Sequence, residues 1–268
     1  MRMKSDSRLS ARDYITRMAG SGHYHFTSAE AQSALGVSVD AAKLALNRLA
    51  KQGQIASPAR GFYVIVPPEY RSLGCLPADQ FIPALMKRLG LSYYTGLLSA
   101  AQYHGAAHHR PQEYQVMVAK SRRPIVCGAV RVAFAVRKNI RAIPLQSFNT
   151  PRGTVLVSTP EATAIDLVGY YNHVGGIDQV ATILSELSDT LEPDKLVVAA
   201  QTAPVPWAQR LGYLLELVEA GTQAQALKAY VRANARQATS LLPSVAHRGS
   251  KRDEGWKLDI NADVEAEQ

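Results

Sequence analysis

Cysteine is scarce. Cys75 and Cys127 stand alone in 268 residues, too few and too far apart along the chain for a disulfide framework or a metal site, and they read as buried thiols of a reducing compartment. Long apolar runs are missing as well. No stretch of about 18 uninterrupted apolar residues occurs, so no membrane span is expected. Arg2, Lys4, Arg8 and Arg12 are not followed by an apolar h-region, so no export signal is expected either, and the sequence reads as cytoplasmic. Charged residues make up 19% of the chain and apolar ones 47%, which excludes disorder and allows a sizeable core.

Catalytic signatures are equally thin. There is no Walker loop, Gly-x-Ser-x-Gly elbow, His-Glu-x-x-His helix or dinucleotide-binding glycine fingerprint. His104 and His108 would share a face if one helix carried both, but Gly105 interrupts it and no acidic residue or cysteine completes a ligand set with them or with His109. Gly249-Ser250 and Asp259-Ile260-Asn261 imitate a nucleotidyltransferase motif, yet Asn261 stands where the second carboxylate belongs and Asp263 comes two residues too late. Glu161 and Asp166 are five residues apart, about 140° around a helix, which argues against shared chemistry and leaves Glu161 a capping role in the first turn. No catalytic residue, cofactor or metal is expected.

Positive charge is abundant and unevenly placed. The net charge is +8. Residues 1–66 hold nine Lys/Arg against four Asp/Glu, residues 110–152 hold nine against Glu113 alone, and residues 153–268 hold nine against fifteen. Two basic blocks therefore precede an acidic remainder, a distribution suited to a polyanionic partner.

The first block has the order of a winged helix-turn-helix. Ser10 can cap a helix from Leu9 to Met18, which Gly20-Ser21-Gly22 ends. Tyr24-His25-Phe26 reads as a short strand. Thr27 or Ser28 can cap a second helix, with Glu30 in its first turn and Gly36 at its end. Ser38 then caps a third helix, from Val39 to Gln52, with Ala42, Leu46, Leu49 and Ala50 on its apolar face. Ile55 and Phe62 to Val66 read as strands joined through Ala56 to Gly61, with Pro58 and Arg60 at the tip. On the third helix Lys43 and Asn47 are one turn apart, placed to reach base edges in a major groove about 12 Å wide. Ser28, Ser38, Arg48, Lys51 and Arg60 are assigned to phosphates, fixing register.

Pro67-Pro68 marks a boundary, giving a DNA-binding domain over 1–66 and a larger domain over 67–268. In the latter, helices are expected over Phe81 to Leu89 and Tyr93 to Tyr103, with Pro77 and Pro83 in a loop-like stretch. Strands are expected at Tyr114 to Val118, Val130 to Val136 and Thr154 to Ser158. A helix follows from Glu161 to Tyr170. From Ile177 the pattern is helical: Ile177 to Leu187, Lys195 to Ala200, Trp207 to Glu219 and Gln223 to Ala235. Trp256 to Ile260 alternates like a last strand, so the class is α+β with a helical C-terminal part. Arg122, Arg123, Arg137 and Lys138 fall at expected strand ends and form a candidate second basic surface.

Three strings carry a resemblance. They are YYTGLLSAAQYHGA from Tyr93 to Ala106, RPQEYQV from Arg110 to Val116, and VSTPEATAIDLV from Val157 to Val168. Together they resemble the AbiEi antitoxins of abortive-infection toxin-antitoxin systems, over most of the chain and with the winged helix in its place. The resemblance implies a two-part repressor whose N-terminal domain binds inverted repeats at its own promoter. It also implies that the C-terminal domain counteracts a neighbouring nucleotidyltransferase toxin, in the type IV manner, without a stable complex. Two other readings stay open from the residues alone. One is a stand-alone regulator with a ligand-sensing C-terminal domain; the other is an enzyme acting on nucleotides, for which no carboxylate cluster is found.

Overall fold

The computed structural model describes residues 9–106, 112–246 and 249–266. Among them the order of elements is mixed, with helices and sheets in both halves.

Helix α1 (Ala11–Gly20) is capped by Ser10, whose hydroxyl accepts from Asp13 N–H. Strand β1 (His25–Thr27) runs straight into α2 (Ser28–Leu35), where Thr27 and Glu30 form a reciprocal capping box. Gly36 ends α2 in the left-handed conformation, with φ 59°, which turns the chain within two residues into α3 (Val39–Lys51). Strands β2 (Ile55–Ala59) and β3 (Phe62–Ile65) follow, and β3 lies between β1 and β2 in an antiparallel sheet. Ala42, Leu46 and Leu49 are buried on α3, but Ala50 is exposed, so the apolar stripe is narrower than expected. The hairpin is also tighter than expected. β2 continues through Pro58, and its register shifts between Ala56 and Ala59, the irregularity at which a strand tolerates proline.

Beyond Pro67, a single 3-10 turn at Pro68–Tyr70 leads to α4 (Ala78–Leu89). This helix starts three residues earlier than expected and holds Pro83 in its interior. The proline costs about 3 kcal/mol, whereas burying Phe81, Ile82, Leu85 and Met86 contributes roughly 1.5–3 kcal/mol each. Packing wins.

The expected helix from Tyr93 to Tyr103 is instead strand β4 (Tyr93–Thr95) followed by α5 (Leu97–Tyr103). Two aromatics and a β-branched residue favour the strand, and Gly96 breaks it where an added Cβ would fall 2.5 Å from Met117. Strands β5 (Tyr114–Val118), β6 (Ile125–Cys127), β7 (Val130–Val136), β8 (Leu145–Thr150) and β9 (Gly153–Ser158) complete a six-stranded mixed sheet, ordered β6-β7-β5-β4-β9-β8. β5 runs parallel to β7, and β4 parallel to β9.

Helices α6 (Pro160–Gly169), α7 (Ile177–Leu187), α8 (Pro193–Ala200), α9 (Val205–Leu217) and α10 (Gly221–Asn234) then pack together. Their apolar faces enclose Trp256. A small sheet of β10 (Thr239–Ser240), β11 (Lys251–Asp253) and β12 (Leu258–Ile260) closes the fold.

One hydrophobic cluster crosses Pro67: Phe62, Val64 and Val66 pack with Phe81, Ile82, Leu85 and Met86 of α4 and with Val116, Val118 and Val132 of the large sheet. The two cysteines meet in the same cluster. Ala129 N–H donates to Leu73 O at 2.7 Å, which sets the Cys75 loop against the β6–β7 turn, and the Cys75 thiol hydrogen-bonds Cys127. They are distant in sequence but adjacent in space, and both are free.

Candidate nucleic-acid interface

The sequence of α3 fixes one face inward and leaves the other in water. Lys43, Asn47, Arg48 and Lys51 are all exposed. Ser38 is occupied as the N-cap, its hydroxyl oxygen accepting Ala41 N–H at 3.3 Å. At the tip of the β2–β3 hairpin, Arg60 is exposed and Gly61 adopts φ +67°, so the strands reverse in two residues. Ser28 N–H donates to Gly61 O at 3.2 Å. That bond ties the start of α2 to the hairpin tip and brings Ser28 and Arg60 to one edge.

Arg88, at the end of α4, leans on the same tip. Its Nη1 donates to Arg60 O at 3.4 Å, and its guanidinium lies 5.9 Å from the Phe62 ring. The sequence does not single it out, because nothing local to Arg88 signals a meeting with a hairpin 28 residues earlier. Among the described residues Lys43, Arg48, Lys51 and Arg60 have no ion-pair partner. Their charge is therefore not neutralised by an ion pair among the described residues.

The second basic set does not assemble. Arg137 is buried, paired with Asp166 at 2.8 Å and donating to Thr202 O at 3.1 Å, so it belongs to the core and not to a surface. Arg122 is half-buried against the Phe134 ring at 5.7 Å, while Arg123 and Lys138 are exposed. Arg152, from the same basic block, is also spent internally: its guanidinium lies 4.0 Å from the Tyr24 ring, pairs with Glu69 at 3.2 Å and donates to Gln80. Counting charges along the chain does not reveal which cations the fold consumes. Arg110, His108 and His109 lie outside the described residues.

The remaining candidates for chemistry serve the fold. Glu161 accepts Glu192 N–H at 3.2 Å, tying α6 to the start of α8 rather than capping its own helix. Asp259 pairs with Arg252 at 2.8 Å, and the Asn261 amide donates to Leu242 O and Val245 O. His104 ends α5 with Nε2 2.7 Å from Ser158 O and Nδ1 3.3 Å from the Gln146 amide. Among the described residues no group of three or more His, Cys, Asp or Glu could hold a metal ion, and no helix is long and apolar enough to cross a membrane.

A cleft of about 640 Å³ is lined in part by Pro77, Asp79, Gln102, Tyr103, Tyr114 and Arg131. Tyr103 hydroxyl donates to Asp79 at 3.3 Å, and the Tyr114 hydroxyl lies 2.6 Å from Thr95 Oγ1. Burial raises the Tyr114 phenol well above its ordinary range.

No curated protein matches the sequence. Among solved structures, the RV2827C protein from Mycobacterium tuberculosis shares the fold, with a TM-score of 0.67 and 16% identity over 92% of this chain and 90% of that one. An antigenic nucleotidyltransferase-like protein from Paracoccidioides brasiliensis gives a TM-score of 0.40 and 13% identity over 57% of this chain and 91% of that one. The family described as the AbiEi antitoxin C-terminal domain matches residues 94–217. That segment runs from strand β4 to the end of α9 and holds two of the three strings noted in the sequence, so the match to the AbiEi antitoxin C-terminal domain family falls on the large sheet and the helices that follow it.

Proposed function

We propose that the chain is a DNA-binding antitoxin and autorepressor of a toxin-antitoxin operon, counteracting a nucleotidyltransferase toxin in the cytoplasm. The antitoxin half of the reading rests on the family match over residues 94–217. The DNA-binding half rests on one observation: the order α1-β1-α2-α3-β2-β3 presents a helix and a hairpin tip whose cations have no partner among the described residues. In this reading residues 1–66 form a winged helix-turn-helix, α3 enters the major groove, and the β2–β3 hairpin is the wing. Lys43 and Asn47 reach base edges; Ser28, Ser38, Arg48, Lys51 and Arg60 hold phosphates. Residues 67–268 form the antitoxin domain, for which no catalytic role is proposed.

The test combines two measurements. Co-expression with the adjacent gene is expected to relieve that gene's toxicity, and the purified chain is expected to protect an inverted repeat in its own promoter from cleavage. An adjacent gene that is harmless, or toxicity the chain does not relieve, removes the antitoxin half. The absence of a footprint removes the repressor half.

A second reading, a regulator that senses a small ligand, draws support from the cleft beside Asp79, Tyr103 and Arg131. A promoter footprint released by cell extract metabolites of low mass, with no toxic neighbour, would favour it.

A further inference from the structure

Of the large hydrophobic side chains left in solvent among the described residues, the three most exposed are Val39 at 65%, Val126 at 64% and Leu44 at 58%. Two of these are on α3. Leu44 holds the more telling place. With 100° between successive residues it lies about 140–160° from each of the buried residues Ala42, Leu46 and Leu49, which puts it at the middle of the outward face. Lys43, by contrast, is only about 60° from Leu46 and sits on the flank.

Asn47, Arg48 and Lys51 follow Leu44 along this face at spacings of three, four and seven residues, and Asp40 and Ala41 precede it by four and three. Helix propensity alone does not explain the choice, since Lys, Gln, Arg or Glu would serve the helix about as well and keep the face polar. A large exposed apolar group beside an amide and two cations that have no ion-pair partner among the described residues has a specific complement. The major groove offers phosphates for the cations and one apolar feature among its base edges, the C5-methyl of thymine.

We propose that Leu44 is a specificity-determining residue that packs against a thymine methyl group in the major groove, with the Asn47 amide reading the neighbouring base edge. The inference rests on the DNA-binding reading above and adds the base that the helix selects. It also moves the centre of readout from Lys43 to Leu44 and Asn47.

The test removes the methyl group and the leucine separately. Duplexes enriched from a random library by the full-length chain are resynthesised with deoxyuridine replacing one thymidine at a time, and affinities are measured for wild type, Leu44→Ala, Leu44→Met and Lys51→Ala. The expected result is one thymine per half-site at which deoxyuridine weakens wild-type binding about fourfold, the worth of one buried methyl group. That sensitivity is lost in Leu44→Ala and kept in Leu44→Met and Lys51→Ala. Because Leu44 is exposed, unchanged thermal denaturation is expected for its variants.

Failure to enrich any duplex overturns the DNA-binding reading and the inference with it. An enriched duplex with no uracil-sensitive thymine, or sensitivity that persists in Leu44→Ala, overturns the inference and leaves DNA binding standing. Self-association of the wild type that Leu44→Ala abolishes, with its DNA selectivity intact, assigns the residue to a second copy of the chain instead.

Discussion

Arg137 donates through Nε to Asp166 at 2.8 Å, with 3% and 1% of the two side chains exposed. β7 delivers the arginine at its end and α6 the aspartate, and the Tyr94 hydroxyl of β4 donates to the second carboxylate oxygen at 2.6 Å. The guanidinium also lies 4.9 Å from the Trp207 ring on α9. One ion pair thus joins the large sheet to the helical layer. Burial raises the Asp166 carboxyl above its ordinary range, and the guanidinium and the tyrosine pull it back.

Such a pair is expensive to break from one side. Arg137→Met leaves an uncompensated buried carboxylate and is expected to cost about 3–5 kcal/mol in urea denaturation. Replacing both partners with apolar residues, as in Arg137→Met with Asp166→Leu, is expected to recover much of that loss. If the single variant lost under about 1 kcal/mol, the value of an exposed pair, the carboxylate would have to be neutral in the native protein.

His104 carries a pH dependence. Its Nε2–H donates to Ser158 O and its Nδ1 accepts from Gln146, an arrangement only the neutral ring can make. Burial lowers its pKa below 6.5, so the unfolded chain binds the proton more readily than the folded one. The stabilisation is complete above 6.5 and is lost as pH falls through the lowered folded value. Burial lowers His25 as well, which acts in the same direction. Denaturation midpoints measured from about pH 8 to about pH 5 are expected to fall, and His104→Gln is expected to flatten the curve. An unchanged slope in that variant would place the proton uptake elsewhere.

Much of the fold is legible in the sequence where the signal is local. Ser10, the Thr27–Glu30 box, Gly36 and Ser38 name the bounds of three helices, and each does so through bonds spanning three or four residues. Illegible are the elements that exist through distant partners. β8 is a largely polar edge strand defined by its pairing with β9, and β4 reads as part of a helix because its three residues show no period of their own. The fate of Arg137 depends on Asp166, 29 residues on, and no local pattern announces that meeting. Leu44 is inconspicuous by residue type, since a leucine on a helix reads as core, and only its place on the outward face sets it apart.

The cysteines yield a reactivity prediction. Hydrogen bonding to Cys127, with burial, raises the Cys75 thiol far above its ordinary range, while the bond from Cys75 lowers Cys127. Neither is exposed. Titration of the native protein with an aromatic disulfide is expected to be slow, to label Cys127 first and to become complete at both sites on denaturation. Preferential labelling of Cys75 would contradict the direction of the hydrogen bond.

The shared core decides how the two proposed activities can be separated. Cutting the chain at residue 67 strips Phe62, Val64 and Val66 from Phe81, Ile82, Leu85 and Met86, and it removes the Tyr24 ring from the Arg152 guanidinium. Each large apolar side chain returned to water costs roughly 1.5–3 kcal/mol, so several together rival the ~5–15 kcal/mol that holds a domain folded. A fragment of residues 67–268 is therefore expected to melt well below the full chain or to aggregate, and its failure to neutralise a toxin would say nothing about where that activity resides. Surface substitutions avoid the problem. Arg48, Lys51 and Arg60 are exposed and have no ion-pair partner among the described residues, so changing all three to Ala should leave the melting temperature within a few degrees of wild type. On promoter DNA the triple variant is expected to bind more weakly at every sequence, with the slope of log K against log salt shallower by about 0.9 for each phosphate that is no longer neutralised. Relief of toxicity by the same variant is expected to remain at the wild-type level. A variant that melts normally but loses both activities would mean that neutralisation works through DNA binding, by repression alone, and not through a separate antitoxin surface.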